Sequence, residues 1–285
     1  MALSGDACTT TESPTENHAR PGLHGLGPVA ISFLVAAWSG MCGIGGGLFA
    51  VPILHYGYGL RLKESIPISL ALVAASTIAG TLAEVAHTEN ALDGGIILVL
   101  VAGCLVGAPL GFRIAKRINA RKLKVVFAVL LVLVGIRILG IAPAVFAAGA
   151  NGEPTALLGP LDYGLAVIIG FTGGLVAPLL GIGGGLVAVP ALMLGVPALG
   201  HLGARACSLA MATVTSTRSL VLYWRAGQLD LRQAGSFAVG AALGATLGVN
   251  LVHLEAVAEI AQKMLGVTLL VVALRFVFDL RRKHG

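Results

Sequence analysis

The string GIGGGLFAVPIL begins at Gly43, and GIGGGLVAVPAL begins at Gly181, 138 residues later, identical at ten of twelve positions. Both copies lie inside long apolar runs. Glycine costs a helix interior about 1 kcal/mol relative to alanine, and proline about 3. A chain that interrupts two apolar segments in the same way releases backbone N–H and C=O groups for which lipid has no partners. Each break must therefore be buried in protein or line a wet cavity.

That argument presumes a bilayer, and the composition requires one. Of the 285 residues, 56% are hydrophobic and only 11% charged, against about 25% charged in ordinary soluble domains. Several apolar runs approach or exceed the ~20 residues needed to cross a ~30 Å hydrocarbon core. The expected fold class is an all-α polytopic membrane protein. The net charge is +6, but the cations cluster beside apolar runs with no interleaved aromatics. They read as membrane-orienting charge and not as a nucleic-acid face. Cys8, Cys42, Cys104 and Cys207 lack metal-ligand spacing and read as small packing residues. No cofactor is expected.

Residues 1–27 are polar, lack the pattern of a signal peptide, and are expected to form a disordered tail. Four apolar segments follow within a first membrane repeat, 28–146, running at about 28–58, 65–87, 92–115 and 123–146. A linker over 147–162 precedes a second repeat, 163–280, with segments at about 163–199, 204–224, 231–252 and 261–280. A basic tail, 281–285, closes the chain. Ser69-Leu70-Ala71 matches Ser208-Leu209-Ala210, Leu92-Asp93 matches Leu229-Asp230, and Gly103, Gly107 and Gly111 match Gly240, Gly244 and Gly248. Arg137 likewise matches Arg275. The spacing stays at 137 to 139 residues, which is an internal duplication, a common transporter architecture.

Loop charge predicts how the halves are related. In the first half the basic connection, Arg113 to Lys124, joins the third and fourth segments. In the second half Arg225 and Arg232 flank the connection between the second and third. The positive loops have exchanged places. If each motif segment enters and leaves on one side, every basic cluster lies in the cytoplasm. Arms of roughly 15 residues reach only ~20 Å, which favours the same arrangement. The expectation is two inverted repeats, each a re-entrant or broken hairpin plus three transmembrane helices. The protein is expected in the cytoplasmic membrane with both termini inside, and a homo-oligomer is compatible with this layout.

After each GIGG a helix can restart, and its first N–H groups have no partner within it while the macrodipole makes that end positive. Glycine lets a ligand approach the backbone. Gly43, Gly45, Gly46 and Gly47, with Gly181, Gly183, Gly184 and Gly185, are thus candidate anion-binding positions. The competing reading is tight helix packing by small residues. Ser76, Thr77, Thr215 and Ser216 in the second segments are candidate substrate hydroxyls, although such side chains often bond their own helix. Arg218 breaks the repeat symmetry with a permanent charge and is a candidate anion partner, with snorkelling as the alternative. Glu84, His55 and His201 are what the sequence offers for proton coupling, with an interfacial place as the reading preferred for each. Asn250 and Trp38 are within reach of a substrate role, with packing preferred.

Duplicated GIGGG motifs followed by proline, one opening each half of a chain of this size, resemble the sulfite exporter TauE/SafE family. The resemblance covers about Pro28 to Leu280. It implies a bacterial-type membrane transporter of small sulfur-containing anions, and it carries over to the motif glycines with Pro52 and Pro190. The function expected is a secondary transporter, an exporter of sulfite or an organosulfonate working by alternating access, and not an enzyme. No G-x-x-x-x-G-K-[ST] motif is present for nucleotide binding. A metal-cation transporter or channel, and a non-transporting membrane enzyme or partner subunit, are the alternatives.

Overall fold

The computed structural model describes residues 26–86, 92–118, 158–229 and 231–252, with isolated positions at 125, 129, 132 and 274. Apart from those isolated positions, the expected fourth segment of each half, with Arg137 and Arg275, lies outside the described residues, as do the N-terminal tail up to 25 and the linker up to 157. All described elements are helical. They are α1 (Leu26–Cys42), α2 (Gly47–Pro52), α3 (Leu62–Ala86), α4 (Gly94–Arg117), α5 (Pro160–Leu180), α6 (Gly185–Gly195), α7 (Gly200–Arg225) and α8 (Leu231–Val252).

The chain is an all-α membrane protein. Four described helices, α3, α4, α5 and a 19-residue stretch of α8, are long and apolar enough to cross a bilayer. Their outer faces expose Leu82, Leu98, Val106, Ile168, Val239 and Leu243. A surface of that kind is covered by lipid in a folded protein. α7 is equally long at 26 residues, but Arg205, Arg218 and a run of hydroxyls make it the most polar of the long helices.

Local sequence sets the helix starts. Asp93 caps α4, its carboxylate accepting from the Ile96 amide at 2.8 Å. Pro160 opens α5 at a position where a missing N–H costs nothing, and Asp162 accepts from the Gly159 amide at 2.8 Å. α2 runs into a π-helical turn, Ile53–Gly57, directly after Pro52.

The two motif segments fold as broken hairpins, α1–α2 and α5–α6. Their arms are unequal: α5 has 21 residues and α6 has 11, in place of the roughly 15 apiece expected. The break therefore lies off the middle of the hairpin, and α5 alone could span.

Each half lends its glycine stripe to the other half's hairpin. Gly103, Gly107 and Gly111 of α4 sit against the Val167, Phe171 and Leu175 carbonyls of α5. Gly240, Gly244 and Gly248 of α8 sit against those of Val29, Phe33 and Ala37 of α1. A Cβ at any of the six would overlap backbone, so the helices meet main chain to main chain, as small-residue stripes allow. In both pairs the numbers rise together, so the helices run parallel. α3 and α7 cross the other way. Thr77 meets Ser216, Thr81 meets Thr213 and Glu84 meets Arg205, an antiparallel register between equivalent helices of the two halves.

Candidate functional site

The two breaks adopt the same backbone path. Gly43, Gly45 and Gly46 have φ of 74°, 77° and 83°, and Gly181, Gly183 and Gly184 have 74°, 70° and 84°. All six are in the left-handed region, open at little cost to glycine alone. This is why the motif is written in glycine, and every residue from Gly43 to Gly47 and from Gly181 to Gly185 is buried.

The breaks also face one another. A Cβ on Gly47 would lie 2.5 Å from the Gly181 carbonyl oxygen and from the Ile182 Cα. One on Gly185 would lie 3.4 Å from the carbonyl oxygens of Gly43 and Ile44. The glycines thus serve tight packing directly. The amides of Gly47 and Leu48, and those of Gly185 and Leu186, have no protein acceptor in hydrogen-bond geometry among the described residues. They are helix-start donors of the kind that a helix leaves without a partner of its own.

Hydroxyls of α3 and α7 bind the breaks from the sides. Ser69 donates to the Gly181 carbonyl at 2.7 Å and lies 3.5 Å from that of Gly47. Its equivalent Ser208 donates to the Gly185 carbonyl at 3.3 Å. Ser76 donates to the Gly45 carbonyl at 2.8 Å. Thr77 and Ser216, equivalent positions of the two halves, meet at 3.5 Å. Thr77, Thr215 and Ser216 also donate to carbonyls of their own helices at 2.8, 2.7 and 2.6 Å. Gly43, Gly45, Gly47, Gly181, Gly183, Gly185, Ser76, Thr77 and Ser216 thus converge on one crossing, joined by Ser69 and Ser208, which the repeat itself had matched. Arg218 lies elsewhere, on an exposed face of α7 next to exposed Thr217. Trp38 packs half-buried on the core. Asn250 is exposed and donates to the Thr246 carbonyl at 2.8 Å.

Two flanks close the crossing. Beside Gly43, Arg205 of α7 is fully buried and ion-paired with Glu84 of α3, itself buried. Its guanidinium also approaches the Gly40 carbonyl at 3.4 Å. The expectation of an interfacial Glu84 is corrected here: the side chain turns inward to a cation that sequence reasoning passed over. Arg205 opens the segment after a loop and reads there as ordinary flanking charge. Beside Gly181 stand the equivalents of these two residues, Ile66 and Tyr223. Tyr223 donates to the Pro178 carbonyl at 2.7 Å, and Pro178 is the counterpart of Gly40. On this flank a cavity of about 510 Å³ opens, lined by Lys63, Glu64, Ile66, Ala115, Lys116, Tyr223 and Gln228. Its wall stacks Lys116 over the Phe112 ring at 4.6 Å, and Phe112 edge-on to Tyr223 at 4.8 Å.

The family model described as sulfite exporter TauE/SafE matches residues 4–138 and 166–285. The chain belongs to the TauE/SafE family. Curated relatives point the same way. The probable membrane transporter protein MamO of Paramagnetospirillum magneticum is 29% identical over 44% of this chain and 19% of its own length. The Bacillus subtilis probable membrane transporter protein YunE is 25% identical over 58% of this chain and 66% of its own length. The chain spans about a fifth to a quarter of the two MamO proteins it matches. No solved structure matches. Family membership and the long apolar helices make this TauE/SafE chain a multi-pass membrane protein, and its relatives carry the names of probable membrane transporters.

Proposed function

We propose that the chain is a secondary transporter of a small sulfur-containing oxyanion, sulfite or an organosulfonate, and that it exports it from the cytoplasm. The observation that carries this reading is the pair of buried, mutually facing glycine breaks, whose helix-start amides have no protein acceptor among the described residues, beside a cavity lined by Ile66, which packs on Gly181. Amides of that kind suit an anion, because the macrodipole and the unpaired N–H groups both favour negative charge. Lys63 and Lys116 line the cavity against one carboxylate, Glu64, and a net positive lining raises the local concentration of anions.

The antiparallel crossing of α3 and α7 supports inverted halves. The start of α3, the end of α4 and the residues after α7 converge on the cavity. These carry the basic clusters assigned to the cytoplasm, so the cavity faces inward on this reading. The crossing itself is closed, and Arg205–Glu84 shuts the far flank. Transport then requires the Gly181 flank to close and the Gly43 flank to open, as alternating access demands.

The test is flux in proteoliposomes of the purified chain, with radiolabelled sulfite and a panel of sulfonates. Saturable, protein-dependent sulfite flux is the expected result. Folded protein that moves none of these anions overturns the reading.

A further inference from the structure

We propose that Arg205 is the cation that binds the transported anion when the Gly43 flank opens, and that Glu84 occupies it in the closed state as an internal competitor. This deepens the oxyanion reading above and rests on it.

The equivalent flank shows that the fold does not need a charge here. Ile66 and Tyr223 fill the matching positions with an apolar side chain and a phenol bonded to Pro178, and both side chains are buried although they line the cavity. A buried ion pair seldom adds stability beyond what an apolar pair supplies. The presence of Arg205 and Glu84 on one flank alone therefore calls for a role that the other flank lacks.

Arg205 is also incompletely satisfied. A guanidinium carries five N–H donors, and Nε of this fully buried side chain has no hydrogen-bond partner. The side chain belongs physically to the break. A Cβ on Gly43 would overlap its Cγ and lie 3.3 Å from its Cβ, so Gly43 is glycine partly to let Arg205 pass.

The chemistry of exchange is like for like. A planar guanidinium binds carboxylates and other oxyanions through the same fork of donors. A sulfite or sulfonate oxygen can take the acceptor position that a Glu84 oxygen now holds. With no anion bound, the two side chains neutralise each other and the flank stays shut. When an anion takes Arg205, the displaced Glu84 carboxylate needs water, which favours the open flank. The anion thus interacts differently with the two states, as any ligand that shifts a conformational equilibrium must.

The test compares wild type with Glu84→Gln, Arg205→Gln and the double variant Glu84→Gln/Arg205→Gln. The probe is sulfite, or whichever sulfonate of the panel the wild type moves best. Flux KM in proteoliposomes and anion-induced thermal stabilisation in detergent are both read. Glu84→Gln is expected to bind the anion at least threefold more tightly, because its competitor is gone. The double variant, which leaves no unpaired charge to unfold it, is expected to elute as folded protein and lose anion stabilisation and at least tenfold in flux. A double variant with wild-type KM, or a folded Glu84→Gln with unchanged or weakened binding, overturns the assignment while wild-type flux leaves the transport reading standing. A wild type that moves no anion overturns both.

Discussion

The Gly43 flank and the Gly181 flank share one backbone and opposite chemistry. Both have a left-handed glycine break, a residue of the opposite half lying across it, and a side chain donating to the carbonyl one turn before the break. On one flank Arg205 lies across the break, donates to the Gly40 carbonyl and is paired with Glu84; on the other Ile66 lies across the break and Tyr223, the equivalent of Glu84, donates to the Pro178 carbonyl. One flank is shut by charge, and the other opens on a 510 Å³ cavity. Duplication supplied two equal doors, and divergence at two positions per door made them unequal. On the proposed transport reading, the two flanks would then respond differently to the same anion.

The contrast can be broken most severely at the breaks themselves. Gly47→Val places side-chain atoms into the Gly181 carbonyl and Ile182, which are backbone and cannot rotate away. A loss above about 4 kcal/mol is expected, the level that marks a named structural failure. It should appear as absent monodisperse protein on size-exclusion chromatography.

Making the flanks alike tests the asymmetry next. Glu84→Ala alone leaves Arg205 buried and unpaired and should cost about 3–5 kcal/mol, read as a lowered thermal midpoint. The exchange Arg205→Ile with Glu84→Tyr copies the other flank. It should recover most of that stability and yet abolish sulfite flux. Recovery of stability together with wild-type flux would show that the ion pair is only structural.

Smaller effects separate the remaining parts. Tyr223→Phe removes one neutral hydrogen bond to Pro178 and should cost about 1 kcal/mol, again as a lowered midpoint. Arg218→Gln, on an exposed face, should change stability by less than about 0.5 kcal/mol. Its effect on sulfite KM should be smaller than that of Arg205→Gln. A larger effect would move the anion's counter-charge along α7 towards its C-terminal end.

Much of this was legible in the amino-acid order. Helix breaks are local, because only glycine takes φ near +75° without penalty, and six such positions in two matched strings name the breaks without any contact being known. Membrane insertion follows from composition, and the duplication from a constant spacing. Tertiary structure decided the rest. Glu84 and Arg205 are 121 residues apart, and no periodicity connects them. Each sits near a segment end, where a charge ordinarily means a loop. The signal that could have found them is the repeat: their counterparts are Tyr223 and Ile66, so both charges interrupt the match at positions that later prove to face each other. Helix crossing turns those two mismatches into one buried pair. An isolated charge is driven out of lipid by its desolvation cost, and only the antiparallel meeting of α3 and α7 gives each of these two a partner inside.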